Sequence, residues 1–300
     1  MNLFSLLDRL SAADVSSDAA PRRQLLRQLG RAGVQAAVAA LPLALAGPAH
    51  AAPNNTSLDG IRLLLQLEDL LVAFYTQALA APALTTSAPA AQRPDFERLL
   101  TQQQNHADFW RSVFSAAGLT PPPARPTNSF DFSGRRNNPA NPELFPGVMT
   151  NYDAFLQLAQ QLEDASASIY LGQIPAFNSD KQLLEAILRL QIVEARHASH
   201  VRTLRRTAAA NAVAVKSWPS TLDSAPSPAV VVPNPAGGTA APVSIYSFEA
   251  KETQVVGGAN EVPFLGVLTG PTAVQYSALA EAFDEPLPTR QAAALFDIFG

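Results

Sequence analysis

Apolar residues recur at positions 61, 64, 65, 71, 72, 75 and 79, with a glutamate at 68 inside the same stripe. That spacing predicts an amphipathic helix over Leu58–Leu79. A Pro/Ala/Thr/Ser loop over Ala81–Arg93 interrupts it. A second helical stripe begins near Pro94, a favourable first-turn proline, and runs to Ala117, with Gly118 behind it. The next stretch, Leu119–Thr150, is dense in Pro and Asn and carries Phe130, Phe132 and Phe145. It is too long for a hairpin loop. A third helix is expected over Asn151–Leu171, stopped by Gly172. A fourth is expected over Asp180–Ala210, capped by Ser179 or Asp180. Four long helices with one long central connection predict an all-α fold, a four-helix bundle with a crossover between helices two and three.

Beyond Trp218 the pattern changes to Pro, Gly, Val and Ser. Short strands are expected at Val230–Val232 and Val243–Phe248. Two short helical patterns follow, Thr272–Phe283 and Arg290–Phe299, the latter capped by Thr289. The expected organisation is a bundle over 57–210 and an irregular extension over 211–300, packed on the bundle as an appendage.

The first 51 residues read as an address. Arg22-Arg23 precedes an apolar run, Ala32–Ala46, that is too short to span a bilayer comfortably. Gly47-Pro48 ends it, and Ala49-His50-Ala51 supplies an A-x-A cleavage pattern. The layout resembles a twin-arginine export signal, which carries proteins across a membrane already folded. The expected location is therefore periplasmic or extracellular, with no stable membrane span once the signal is removed. The segment Met1–Ala20 has a helical leucine pattern longer than a signal needs and no evident role.

Composition narrows the chemistry. Hydrophobic residues make up 47% and charged residues 15%, which argues against long disordered charged tails. A net charge of −4 without a basic stripe makes nucleic acid a poor partner. The chain has no cysteine, which removes disulfides, thiolate metal sites and cysteine nucleophiles together. No Gly-rich phosphate loop or G-x-S-x-G elbow is present. Any metal must be held by oxygen and imidazole ligands.

The bundle is one helical hairpin written twice. Leu67-Glu68-Asp69 with Tyr75 is matched by Leu162-Glu163-Asp164 with Tyr170, and His106 with Arg111 by His197 with Arg202. Glu163 follows Glu68 by 95 residues, and His197 follows His106 by 91. The seam of the second helix reads Phe96, Leu99, Gln103, His106, Trp110, Val113. That of the fourth reads Ile187, Leu190, Glu194, His197, Val201, Leu204. By the same rule Glu163, Ser166 and Tyr170 lie on the seam of the third helix, and Glu68 on that of the first. Glu68, Gln103, His106, Glu163, Glu194 and His197 are thus all expected to point into the core at similar depth.

Buried carboxylates must be neutralised or paired. Arg111 and Arg202 lie one residue off the seam and are not obvious counter-ions, so a metal pair answers the charge better. A Glu-x-x-His motif puts both ligands on one helix face, and a glutamate from each of two other helices is expected to bridge. Such ligands suit Fe or Mn and also accept Zn. Asp69 and Asp164 either orient histidines of neighbouring helices or face solvent. Tyr75 and Tyr170 either donate hydrogen bonds to the ligands or serve packing. His200 falls off the seam, at the surface or beside the site.

The strings LEDLLVAFYTQAL, QLEDASASIYLGQIPAF and IVEARHASHVRTL, with the terminal AFDEPLP, resemble the ferritin-like superfamily. More closely they resemble secreted bacterial ferritin-like proteins related to plant desiccation-related proteins. The resemblance implies Glu68, His106, Glu163, Glu194 and His197 as ligands of two irons. Gln103 stands where the family places a glutamate, so one metal position is expected to be weakened, leaving one iron if the position is lost. The implied function is oxidation of Fe(II) or handling of oxygen species, with manganese an acceptable metal. The alternative is a metal-free structural or protective envelope protein of the desiccation- or stress-related type. A storage cage fits poorly with the long extension, while self-association into a homo-oligomer stays open.

Overall fold

The computed structural model describes residues 55–208, 215–220, 229–234, 240–250, 253–256, 260–263, 281–282 and 284–300. The expected export segment, 1–51, lies outside them. So does the helical pattern over Thr272–Phe283, apart from a turn at 281–282.

Four helices form the body: α1 (Asn55–Ala80), α2 (Arg93–Ala116), α3 (Tyr152–Gln173) and α4 (Lys181–Ala208). The main packing partners are α1 with α2 and α3 with α4, the two hairpins of the repeat. Local chemistry explains several helix ends. Asn151 caps α3 by accepting the Ala154 amide at 3.0 Å, and Asp180 caps α4 by accepting the amides of Gln182 and Leu183. After α2, Gly118 adopts φ 71°, and the Leu119 amide reaches back to the Phe114 carbonyl. Helix α1 is apolar and long enough to cross a membrane by composition, but 61% of that window is buried inside the protein.

The elements agree with the sequence pattern except at particular points. The loop 81–93 is largely wound into a short π-helical piece, Ala83–Ser87, and a 3-10 turn, Ala90–Gln92. Helix α3 does not stop at Gly172. It continues to Gln173 and tightens into a 3-10 turn over Ile174–Phe177. Gly172 serves close packing instead, because a Cβ there would overlap the carbonyl oxygen of Leu287 and lie 3.3 Å from its carbonyl carbon. The strand expected over Val243–Phe248 is only β2 (Val243–Ser244), antiparallel to β1 (Val231–Val232), and then becomes a 3-10 turn. A second ribbon, β3 (Thr253–Val256) with β4 (Asn260–Pro263), has no counterpart in the sequence reading.

Among the described residues of the extension, the last helix contacts the bundle. Helix α5 (Thr289–Phe299) carries Leu295 and Phe299, both 0% exposed. The Phe299 ring lies 5.5 Å from that of Phe132 and 5.7 Å from that of Phe145, two of the aromatic residues in the crossover. Phe132 continues inward to Phe74 of α1, which stacks on Phe155 of α3. The crossover is thus clamped between bundle and tail by aromatic contacts.

Candidate metal centre

Each of the four bundle helices contributes to one polar cluster in the core. Glu68 comes from α1, Gln103 and His106 from α2, Glu163 from α3, and Glu194 and His197 from α4. Glu68, Gln103, Glu163 and Glu194 are fully buried, His106 is 8% exposed and His197 4%. All six residues expected from the seam therefore come together.

Their ligand atoms gather as two triads, Glu68–His106–Glu194 and Glu163–Glu194–His197, with the atoms of each within 4.8 Å of one another. His106 Nδ1 is 2.7 Å from Glu194 Oε1 and 3.8 Å from Glu68 Oε1. His197 Nδ1 is 3.5 Å from Glu194 Oε2 and 3.8 Å from Glu163 Oε2. The two imidazoles stack with centroids 5.9 Å apart. The sequence pattern pointed to Glu68 and Glu163 as the bridging carboxylates. In the structure Glu194 is common to both triads, while Glu68 and Glu163 each belong to one. The reason is that Glu194 stands three residues before His197 on the same face, and its two oxygens diverge toward opposite histidines.

A layer of hydrogen bonds holds these groups. Tyr75 donates to Glu163 Oε1 at 2.5 Å, and Tyr170 donates to Glu68 Oε1. Each tyrosine thus serves the glutamate of the other hairpin. Trp110 Nε1–H donates to the Tyr170 hydroxyl at 2.9 Å. Ser166 and Gln103 Nε2 both donate to Glu194 Oε2, at 2.8 and 3.1 Å. His197 Nε2–H donates to Gln102 Oε1 at 2.5 Å, which leaves Nδ1 turned to the cluster.

Electrostatics follow from burial and crowding. Desolvation, with the charge of Glu194 close by, raises the Glu68 carboxyl well above its usual range. Burial also pushes Glu163 up, to about 7, against the lowering pull of His197. Glu194 is desolvated too, but His197 and His106 outweigh this and hold it below the usual carboxylate range. Burial would lower the His197 imidazole, yet the charge and hydrogen bond of Glu194 and the charge of Glu163 raise it.

Asp69 and Asp164 neither orient histidines nor face solvent freely. Arg111 Nη2 meets Asp69 Oδ1 at 2.5 Å, and Arg202 forks onto Asp164 at 2.8 and 2.6 Å, where Tyr246 also donates to the carboxylate. The arginines set aside as counter-ions therefore neutralise these aspartates within each hairpin. The repeat held that signal, since in both copies the Asp directly follows the glutamate and the Arg stands five residues after the histidine. His200 is largely exposed, 3.6 Å from Asp95. Gln102 is off the seam, and nothing in the sequence marked it.

The donor set suits a metal. Three carboxylates and two imidazoles are oxygen and nitrogen ligands of the kind Fe, Mn and Zn accept. Five buried atoms in the cluster lack a hydrogen-bond partner: Glu68 Oε2, Gln103 Oε1, His106 Nδ1, Glu163 Oε2 and Glu194 Oε1. Core polar atoms are ordinarily satisfied, so convergence of five at one place fits a cation. A depression of about 220 Å³ is lined by Asp95, Arg98, Gln102, Arg196 and His200, with His197 of the cluster at its wall.

No curated protein matches the chain. The ferritin-like domain family matches residues 57–207, the four helices and every residue of the cluster. A helical bundle with paired carboxylate–histidine triads in its core agrees with that match, and the chain belongs to the ferritin-like domain family.

Proposed function

We propose that the chain is an exported protein that binds iron or manganese in its bundle core and oxidises Fe(II) or handles oxygen species there. The observation that carries this reading is the set of buried ligand atoms without hydrogen-bond partners. Each costs the fold about 1–3 kcal/mol if nothing meets it. Glu68, Glu163 and Glu194 would supply carboxylate oxygens, and His106 and His197 their Nδ1 atoms. A bound redox metal supplies the one-electron chemistry. The chain's own residues hold the ligands and exclude water. Tyr75 and Tyr170 fix one oxygen of each single-triad glutamate and leave the other unpartnered. Gln102 fixes the His197 ring. Export rests on the twin-arginine pattern of the first 51 residues, a route that would let the metal be loaded before translocation.

The test is anaerobic loading of the full-length chain with Fe(II) or Mn(II), followed by elemental analysis. The reading expects stoichiometric metal that is lost in Glu194→Ala. A folded, helical chain that takes up no metal refutes it. Gln103 favours that second outcome, because a neutral amide replaces a ligand charge. The function would then be the structural, protective role of desiccation- and stress-related proteins in the envelope.

A further inference from the structure

The two triads are alike in composition, each with one glutamate and one histidine of its own and Glu194 in common. Any difference between them must come from Gln103, the repeat counterpart of Glu194. Its amide is turned to one side. Gln103 Nε2 donates to Glu194 Oε2 at 3.1 Å and stands 3.3 Å from His197 Nδ1. Ser166 adds a second donor to the same oxygen at 2.8 Å. The half-site of Glu163 and His197 therefore already holds an N–H group among its ligand atoms. A carboxylate oxygen such as Glu194 Oε2 accepts, so the nitrogen rather than the oxygen of the amide belongs on this side.

The other half-site has no such occupant. Glu68 Oε2, His106 Nδ1 and Glu194 Oε1 are all buried and without a hydrogen-bond partner. His106 Nδ1 and Glu194 Oε1 approach each other at 2.7 Å as an ion pair, and neither atom has a further partner. On the side of Glu163 and His197 the open ligand atom is Glu163 Oε2, and Gln103 leaves its own Oε1 without a partner. An amide N–H carries partial positive charge and lies in the direction a cation on His197 Nδ1 would take. A carboxylate at 103 would have no hydrogen to offer Glu194 and would call for a second cation.

We propose that the centre is mononuclear, with one divalent cation held by Glu68, His106 and Glu194 and the Gln103 amide filling the half-site of Glu163 and His197. This rests on the metal-binding reading and goes beyond it by assigning the half that is used and the group that closes the other. The experiment is Mn(II) titration of the full-length wild-type chain and Gln103→Glu, read by elemental analysis and by electron paramagnetic resonance. Wild type is expected to bind about one Mn(II) with the hyperfine pattern of an isolated ion. Gln103→Glu is expected to bind about two, with the spectrum of an exchange-coupled pair. His106→Ala should abolish uptake by an otherwise wild-type chain and His197→Ala should spare it, with helicity checked by circular dichroism. Two coupled ions in wild type overturn the proposal and leave the metal reading standing. So does a single ion lost with His197→Ala and kept with His106→Ala. No Mn(II) in wild type also overturns it, and no Mn(II) or Fe(II) in Gln103→Glu as well removes the metal reading itself.

Discussion

Replacing Gly172 with alanine sets two effects of opposite sign against each other, and their sizes can be worked from the structure. Gly172 lies inside α3, one residue from its end, with nothing about its helical surroundings that disfavours alanine. Helix propensity alone would make Gly172→Ala stabilising by about 1 kcal/mol. The obstacle is the segment that leads into α5. A methyl at 172 would overlap the Leu287 carbonyl oxygen, and the clash is with backbone, which cannot swing aside as a side chain can. That segment is tied down where the methyl would push. The Leu287 amide donates to the Ser168 carbonyl at 2.9 Å, and the Leu287 side chain is 1% exposed. Lifting it forfeits a hydrogen bond worth about 1 kcal/mol and uncovers a leucine worth about 2 kcal/mol. The loss exceeds the propensity gain by about 2 kcal/mol. In a domain of this size that lowers Tm by roughly 4–8 °C. The assay is thermal unfolding by circular dichroism, with hydrogen exchange at the Leu287 amide. Gly172→Ala should also cost less in a Leu287→Ala background, where the burial term is already gone. A variant more stable than wild type, or a destabilised one with Leu287 exchange unchanged, would refute the reasoning.

The two Asp–Arg pairs of the repeat differ in burial and so should differ in worth. Asp164→Asn leaves the fully buried Arg202 guanidinium short of its charge partner and should cost about 3–5 kcal/mol, whereas Asp69→Asn, whose partner Arg111 is 21% exposed, should cost clearly less in urea unfolding of the same chain. Equal losses would mean that burial does not set the worth of these pairs. Glu249, on the 3-10 turn after β2, is pushed up to about 9 by burial and by the neighbouring Asp284, Glu285 and Asp164. Its folded form keeps a proton that the unfolded chain releases, so wild-type stability should fall as pH rises from about 4.5 to about 9 and this term should then level off. Glu249→Gln, which mimics the protonated form, should therefore gain on wild type across that window; a constant difference would show that Glu249 titrates normally.

Most of the bundle was legible because periodicity is a strong signal in long helices. The stripe of α2 fixed the inward turn of Gln103 and His106 three residues apart, and the same rule applied to Glu163, Ser166 and Tyr170 on α3. What escaped were features that depend on which segment comes close in space. Gly172 looked like a helix stop because glycine commonly is one, and only the position of Leu287 shows its packing role. Which carboxylate the two triads share escaped for the same reason. Seam positions say that Glu68, Glu163 and Glu194 point inward, but not which carboxylate lies between both histidines. Asp69 and Asp164 were read against the wrong partners because Arg111 and Arg202 sit one position off the seam. A long guanidinium stem reaches across that gap easily. In the tail the last helix and the strand at Val231–Val232 were legible, but ribbons such as β3 and β4 have too few residues to show an alternation.

The repeat also bears on why the cluster exists. The two hairpins mirror each other closely. Asp69–Arg111 matches Asp164–Arg202, Tyr75 onto Glu163 matches Tyr170 onto Glu68, and each histidine stands 3.8 Å from the glutamate of its own hairpin. Those Asp–Arg pairs and tyrosines are structurally self-sufficient, since each charge or hydroxyl meets a partner. The six core positions are not, and three buried carboxylates make them costlier than leucines in the same place. A bundle kept only as a scaffold would be more stable with an apolar seam here. The charge, the imidazoles and the unpartnered atoms are instead compatible with metal binding. Gln103 is where the mirror breaks: its amide is turned toward one triad, donating to Glu194 and lying 3.3 Å from His197 Nδ1, while the rest of the cluster keeps the repeated form.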